Sequence, residues 1–185
     1  MEVRKRMLRN IVHLGGRLLI ICMVAGALLS LTYSVTAPVK AANDALKAQQ
    51  ALAAVYPQAS EFTAVEGDDF DRIHEQYSAV TAMNRASDGG VIVTLNSMGY
   101  HSFSVMVGLD PTGTVTGYQV LSHTETAGLG DGITKESFSG QFAGKKAPLT
   151  LNQDVQAISG ATKSSRGVVN AVNMAAEAAA MLTGE

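Results

Sequence analysis

The run 159–165 holds the side chains best suited to chemistry in this sequence, because it combines hydroxyl groups with two very small residues. It reads Ser-Gly-Ala-Thr-Lys-Ser-Ser and stands just before a stretch with helical periodicity. The first turn of a helix has unpaired N–H donors and the positive end of the helix dipole, so small residues there can admit an anion such as a phosphate. Serine and threonine are also ordinary helix-capping residues. The residue types alone therefore leave an anion site and a plain helix cap as alternatives.

A second segment, residues 123–132, is rich in glycine. It reads His-Thr-Glu-Thr-Ala-Gly-Leu-Gly-Asp-Gly, with glycine at three of the five positions from 128 to 132. Glycine allows tight turns and close approach of the backbone to another group. We therefore expect a loop that turns sharply or lies against something else.

Thiol and metal chemistry find little support in the composition. The single cysteine, Cys22, excludes an internal disulfide, a CxxCH haem site and an iron–sulfur cluster held by this chain alone. The four histidines, His13, His74, His101 and His123, have no spacing typical of a metal site. No metal ligand or catalytic side chain is assigned, so any redox chemistry requires a different cofactor.

The elements that must position the two segments form a sheet with helices before and after it. The run Val-Ile-Val-Thr-Leu, bounded by Asp-Gly-Gly, predicts a strand at 91–95. Alternating apolar and small polar residues predict strands at 102–109 and 114–121, and the turn Asp-Pro-Thr-Gly joins these two as a hairpin. A helix is expected from about 164 to 182, with an apolar stripe formed by Val168, Val172, Ala175, Ala176 and Ala179. The pattern indicates an α+β domain with a mainly antiparallel sheet.

Other segments carry weaker signals. Residues 39–56 favour a continuing or second helix that ends before Pro57. The acidic stretch 61–75 is interpreted as a solvated turn, since its spacing suits no calcium loop. Residues 149–151 and 155–158 are short strand candidates.

An uncharged, mainly apolar run over residues 18–39 predicts a transmembrane helix. At about 1.5 Å per residue it can cross a hydrocarbon core of roughly 30 Å. A cleaved signal peptide is the alternative, but its apolar region is normally shorter. Basic residues are concentrated before the run, which places the N-terminus in the cytoplasm and the remainder outside; they are Arg4, Lys5, Arg6, Arg9 and Arg17.

The part of the chain beyond the apolar run is acidic. Residues 38–185 contain 9 Lys and Arg against 15 Asp and Glu, a net charge of −6. A negative surface repels a phosphate backbone, so nucleic acid is not expected as a partner.

The Ser-Gly-Ala-Thr-Lys-Ser-Ser run closely resembles the flavinylation motif of the FMN-binding domain family, in which the threonine is esterified to the flavin phosphate. That threonine falls on Thr162. The segment Glu-Thr-Ala-Gly-Leu-Gly at 125–130 resembles the family's loop near the isoalloxazine ring, with Ala127 in place of proline. The resemblance covers about residues 90–182. It implies covalent FMN at Thr162 and the following FMN-binding residues: Ser159, Gly160, Ala161, Lys163, Ser164, Ser165, Glu125, Thr126, Gly128, Leu129 and Gly130.

With length and the apolar helix included, the chain resembles the G-subunit family of Rnf ion-translocating electron-transport complexes. That resemblance implies an electron-transfer subunit of a ferredoxin:NAD oxidoreductase in the inner membrane, with other membrane subunits as partners and a flavin transferase for maturation. The implied organisation is a cytoplasmic N-terminus at 1–17, a transmembrane helix at 18–39, a connecting helix and loop at 40–76, and one extracytoplasmic FMN-binding domain at 77–185.

Four alternatives stay open at this point. A protein similar to the C subunit of the sodium-pumping NADH:quinone oxidoreductase, or a free-standing FMN carrier, would share the same motifs. A pilin-like structural protein would need a glutamate near the start of its apolar helix, and none occurs between Glu2 and Glu61. An anchored ligand-binding module would use the run 159–165 only as a helix cap.

Overall fold

The computed structural model describes the backbone of residues 2–184, and the side chains of residues 15–19, 22–34, 36–37, 40 and 46–184. The chain forms two compact units, Met1–Lys47 and Ala48–Glu185. The second unit includes residues 48–76, which the sequence pattern assigned mainly to a connecting segment.

Helix α1 spans Glu2–Val55 and supplies all of the regular structure of the first unit. Within it, Gly15–Ser34 is a stretch of 20 residues with a mean hydropathy of 1.8, and its described side chains are exposed. Its length and composition are sufficient to cross a membrane. The continuing helix expected over 39–56 is present, and it ends two residues before Pro57.

The second unit contains one antiparallel sheet of five strands in the order β1-β2-β3-β4-β5. The three predicted strands are confirmed within it, and two more precede them. Central β3 pairs with both β2 and β4, so that Val93 lies between Met83 and Val107. The strands are β1 Phe62–Ala64, β2 Val80–Ala86, β3 Val91–Met98, β4 Ser102–Leu109 and β5 Val115–His123.

The turn between β4 and β5 is held by one carboxylate. Asp110 accepts hydrogen bonds from the backbone N–H groups of Thr112 and Thr114 at 2.8 and 2.9 Å. Although desolvation by itself raises the pKa of Asp110, the hydrogen bonds from these two threonines prevail and hold it below its ordinary value. The hairpin predicted at this position is confirmed.

Two local predictions were wrong. The acidic stretch 61–75 is not a solvated turn: it forms β1 and most of helix α2, Asp68–Gln76. Ile73 of α2 is fully buried. Three aspartates lie in the first turn of α2, where the positive end of the helix dipole stabilises their negative charge. Residues 149–158 form no strands beyond an isolated bridge from Leu151 to Val155, because the chain turns tightly between them.

Helix α4, Thr162–Thr183, covers one face of the sheet. It begins two residues earlier than the sequence predicted. Four of the five predicted stripe residues are buried, Val168, Val172, Ala175 and Ala179, while Ala176 is half-buried. They pack into the main core with side chains of β3 and β4 such as Val93, Leu95, Val105 and Val107.

The last turn of α1 packs on the opposite face. Ala51, Val55 and Tyr56 form a second core cluster with Ile92 and Met106. Ile92 lies between Val91 and Val93 in β3, and successive strand residues point to opposite faces. The remaining elements, a 3-10 turn at Gly130–Thr134 and the short helix α3 at Glu136–Ser139, follow the glycine-rich loop.

Candidate functional site

A cleft of about 430 Å³ lies at the N-terminal end of α4. Its walls come from the first turn of α4, the loop 125–130 and the turn between β3 and β4. The two segments that sequence analysis singled out therefore face each other across one cavity. The lining residues are Tyr100, Glu125, Thr126, Leu129, Gly130, Gly160, Ala161, Thr162, Lys163 and Ser164.

The start of α4 carries no side-chain cap. Ala161 occupies the N-cap position, and Thr162, an exposed residue, is the first residue of the helix. An alanine side chain cannot accept a hydrogen bond from the helix N–H groups. The residue types left open whether a serine or threonine caps this helix. No hydroxyl occupies the N-cap position, and the N-terminal end of the helix faces the cleft.

Ser165 does not line the cleft, but its side chain holds the turn before α4 through two hydrogen bonds. Its buried hydroxyl donates to the carbonyl oxygen of Ala161 at 3.0 Å and accepts the N–H of Ile158 at 3.0 Å. Gly160, with a φ of +78°, supplies the left-handed turn that precedes the helix. A side chain at that position would also lie 3.2 Å from Cδ2 of Leu129, on the facing loop.

A buried carboxylate joins the three walls of the cleft. Glu125 is 7 % exposed, and its Oε2 accepts a hydrogen bond from the Ser164 hydroxyl at 2.9 Å. Its Oε1 accepts the backbone N–H of His101 at 3.0 Å. Both oxygens of a carboxylate act as acceptors, so the two donors suit it. The loop, the β3–β4 turn and the first turn of α4 are tied together through this one side chain.

Three glycines make the close approach of these segments possible. A Cβ on Gly99 would lie 2.5 Å from Oε1 of Glu125, and a Cβ on Gly130 would clash with its Oε2. A Cβ on Gly167 of α4 would lie 2.6 Å from the carbonyl oxygen of Met98. Any side chain at these positions would force the walls apart.

The cleft has an apolar side and a cationic side chain at its rim. Tyr100 is 62 % exposed and Leu129 is 49 % exposed, and both line the cavity. The Lys163 Nζ lies 5.8 Å from the centre of the Tyr100 ring, which is within the range of a cation–π contact. Tyr100 is the lining residue that was absent from the predicted site, although it follows Gly99 directly at the start of the predicted hairpin.

The predicted site residues fall into two groups. Nine of the twelve line the cleft, and the other three, Ser159, Ser165 and Gly128, do not. Ser159 is exposed, and Gly128 forms the turn of the facing loop with a φ of +79°. His123 lines a separate cavity of about 330 Å³. Among the described residues no group of three or more His, Cys, Asp or Glu could hold a metal ion.

Comparison with known proteins agrees with this geometry. The family model of the FMN-binding domain matches residues 99–177, a range that contains every lining residue of the cleft. The G subunit of the ion-translocating oxidoreductase complex of Methanosarcina acetivorans is 36 % identical over 173 residues, covering 86 % of this chain and 89 % of that protein. The chain belongs to the G-subunit family of ion-translocating oxidoreductase complexes.

A second member of this family and a solved structure extend the comparison. The G subunit of the proton-translocating ferredoxin:NAD⁺ oxidoreductase complex of Clostridium ljungdahlii is 31 % identical over 183 residues, and the match covers 95 % of both chains. The C subunit of the Na⁺-translocating NADH-quinone reductase from Parabacteroides distasonis is 24 % identical. It covers 69 % of this chain and 79 % of its own, with a TM-score of 0.50, and shares the fold.

The cleft also has the features that FMN requires. Its volume falls within the roughly 300–1,000 Å³ typical of small-molecule sites. It presents an uncapped helix N-terminus, which suits a phosphate, and the exposed side chains of Tyr100 and Leu129, which suit a flat aromatic ring. The cleft inside the range matched by the FMN-binding domain family therefore offers groups of both kinds that FMN needs.

Proposed function

We propose that this protein carries electrons through an FMN joined covalently, by its phosphate, to the hydroxyl of Thr162. The observation that carries the proposal is the placement of Thr162. It is exposed, it is the first residue of α4, and it lines the same cleft as the loop 125–130. An ester at this hydroxyl would leave its phosphate beside the helix N-terminus and direct the rest of the flavin into the cavity.

The phosphate end would be held by the first turn of α4. A phosphodiester keeps one negative charge, which the uncapped N–H groups and the helix dipole favour. Lys163 adds a mobile cation at the rim of the same cleft. These residues bind and orient the phosphate, and no protein base is needed for the transfer of electrons.

The ring end would contact the facing loop and the β3–β4 turn. Leu129 and the ring of Tyr100 offer apolar surface, while Thr126 offers a hydroxyl on the same wall. FMN itself accepts and donates the electrons, and the protein places it and adjusts its potential. A covalent tether makes ring binding an intramolecular event, so modest contacts with the ring are sufficient.

Intact-protein mass tests the covalent bond. The full chain is expressed in a membrane together with a flavin transferase, beside the variants Thr162→Ala and Ser159→Ala. We expect a mass gain equal to FMN less one water in the parent and in Ser159→Ala, since Ser159 lies outside the cleft lining. Thr162→Ala should show no gain. An unmodified parent, with the transferase active on another substrate, would contradict the proposal.

We also propose that the chain works as one subunit of an Rnf-type ferredoxin:NAD oxidoreductase. The match to the Clostridium ljungdahlii G subunit covers 95 % of the chain, which leaves too few residues unmatched to omit either the apolar helix or the FMN-binding domain. The competing functions are an FMN carrier that acts alone and a protein similar to the C subunit of the sodium-pumping reductase. Purification in mild detergent, followed by identification of the co-purifying proteins, distinguishes them: other subunits of an Rnf-type complex should co-purify, subunits of a sodium-pumping reductase would favour the second competitor, and a chain recovered alone would favour the free carrier.

The orientation is proposed from the basic residues ahead of the apolar stretch. Four of these residues precede the stretch Gly15–Ser34, and the fifth, Arg17, lies near its start. This distribution favours a cytoplasmic N-terminus and an FMN domain on the outer side. Labelling with a membrane-impermeant maleimide tests this. In a Cys22→Ser background, Glu66→Cys should react in intact cells, because residue 66 is exposed in the second unit, whereas Glu2→Cys should react only after lysis. The reverse pattern would overturn the orientation.

A further inference from the structure

Glu125 is a buried carboxylate on the wall of a cofactor cleft. Burying a carboxylate costs free energy unless hydrogen bonds replace its hydration. Here two bonds do so, from the Ser164 hydroxyl at 2.9 Å and from the His101 N–H at 3.0 Å. Both donors are neutral groups. They fix the position of the carboxylate without neutralising its charge.

The surroundings leave this charge without a cationic partner. Among residues 46–184, no lysine, arginine or histidine forms an ion pair with Glu125. The cationic side chain of the lining set, Lys163, lies over the ring of Tyr100. Among residues 46–184 no other acidic side chain lines the cleft, including the next two along the chain, Asp131 and Glu136. Glu125 is therefore the acidic side chain of the cavity.

Two glycines leave the space that the Glu125 carboxylate occupies. Gly99 and Gly130 come from two different segments, and a Cβ at either position would clash with one of its oxygens. A side chain that served only to join the three walls could be neutral, because a glutamine has the same shape and one acceptor oxygen. The distinctive property of a glutamate in this place is its negative charge.

We propose that Glu125 sets the reduction potential of the bound flavin by holding a fixed negative charge at the wall of the cleft. The inference rests on the proposed function of this site. Reduction of FMN at pH 8 takes up two electrons and one proton, and so adds one negative charge to the ring. In a cavity partly shielded from water, a nearby carboxylate opposes that added charge. Glu125 lowers the potential and makes the reduced flavin a stronger electron donor.

The test is a spectroscopic redox titration of the full chain carrying FMN, in detergent at pH 8. Dithionite supplies the electrons, the solvent supplies the proton, and a dye of known potential serves as the reference. In Glu125→Gln the amide oxygen can accept the His101 N–H, and the amide nitrogen can donate to the Ser164 hydroxyl. We expect its equilibrium to favour reduced flavin tenfold or more over the parent, a rise of about 30 mV for two electrons.

Two further variants separate charge from shape. Glu136→Gln removes a carboxylate from an exposed position of α3 outside the cleft, and its potential should equal that of the parent. Ser164→Ala keeps the charge of Glu125 and removes one of its hydrogen bonds, so it should alter stability or the flavinylated fraction more than the potential. A purely structural role for Glu125 would move those two quantities and leave the potential where it was.

The outcomes are distinct. If the parent carries no flavin, the proposed function fails before any potential is measured. If the parent is loaded and the loaded Glu125→Gln keeps the potential of the parent, the inference is overturned while the proposed function stands. Should Glu125→Gln fold poorly, Glu125→Ala also removes the charge. A higher potential in that variant supports the inference, and an unchanged one overturns it.

Discussion

On each face of the sheet, a hydrogen-bonded side chain lies against a glycine, but only one of the two contacts has an open cleft beside it. On the face covered by the end of α1, the ring of Tyr56 lies against Gly90, where a Cβ would stand 2.5 Å from its Cζ. Tyr56 is fully buried and donates its hydroxyl to Asp88 at 2.8 Å. At the N-terminus of α4, the carboxylate of Glu125 lies against Gly99 and Gly130, and an open cleft remains beside it.

The difference shows how one sheet supports both a tightly packed contact and an open cleft. In the Tyr56 contact a large ring fills the space, and its pKa is raised by burial and by the neighbouring Asp88 carboxylate. In the cleft, small residues keep the space open, and both polar groups and the exposed side chains of Tyr100 and Leu129 line it. The first arrangement should therefore matter mainly for stability, and the second mainly for the cofactor.

The largest expected effect is at the Tyr56 contact. Tyr56→Ala removes a fully buried aromatic ring and should lower the free energy of unfolding by about 3–5 kcal/mol. Tyr56→Phe keeps the ring, loses only the bond to Asp88, and should cost about 1 kcal/mol. Denaturant titration of the full chain in detergent measures both. The comparison fails if folded Tyr56→Phe also loses its covalent flavin.

A smaller effect is expected from a methyl group between the walls of the cleft. In Gly99→Ala the added carbon would lie 2.5 Å from Glu125 Oε1 and 2.7 Å from Cα of Ser164, so the walls must separate. We expect a loss of about 1–3 kcal/mol together with a lower flavinylated fraction. Gly117→Ala is the matched control, because its new carbon would be 3.5 Å from the nearest atom. Equal effects of the two substitutions would argue against close packing at the cleft.

A third carboxylate, Asp110, makes only local bonds and gives a weaker, pH-dependent effect. Since its folded pKa is lowered, its contribution to stability is present above its unfolded pKa of about 3.9 and is lost as the pH falls through the lower folded value. The effect should be small, because the group is partly exposed to solvent and its charge is screened by salt. Unfolding curves of the parent and Asp110→Asn between pH 5 and pH 2.5 should converge at the acid end. A constant gap between them would exclude this linkage.

The smallest effect on stability is expected at the mouth of the cleft. Tyr100→Ala removes a ring that is 62 % exposed and should change the free energy of unfolding by less than about 0.5 kcal/mol. The same change should loosen the flavin ring, which lowers the fluorescence anisotropy of the covalently loaded protein. Tyr100→Phe keeps the flat surface and should retain the anisotropy. A large loss of stability in Tyr100→Ala would place this residue with the Tyr56 contact instead.

Much of this arrangement was accessible to sequence patterns. Strands β3, β4 and β5 are rich in β-branched and other apolar residues over eight or nine positions, and the turn at Asp110 has its own local bonds. By contrast, α2 presents few apolar side chains, and its helix depends on Ile73 reaching the core. The lining role of Tyr100 was missed because an exposed tyrosine in a turn carries no pattern. Its proximity to Lys163 joins residues far apart in the chain.

The sequence by itself determined the family, the apolar helix, three of the strands and the two motifs of the cleft, because each of these is written in consecutive residues. Only the tertiary structure decided that Ala161 occupies the N-cap position and leaves α4 without a side-chain cap, that Ser164 and His101 hold Glu125 from 39 and 24 positions away, and that glycines leave the room for it. Hydrogen bonds and close contacts between distant segments depend on distances of a few tenths of an ångström, which are fixed only when the sheet and its helices pack.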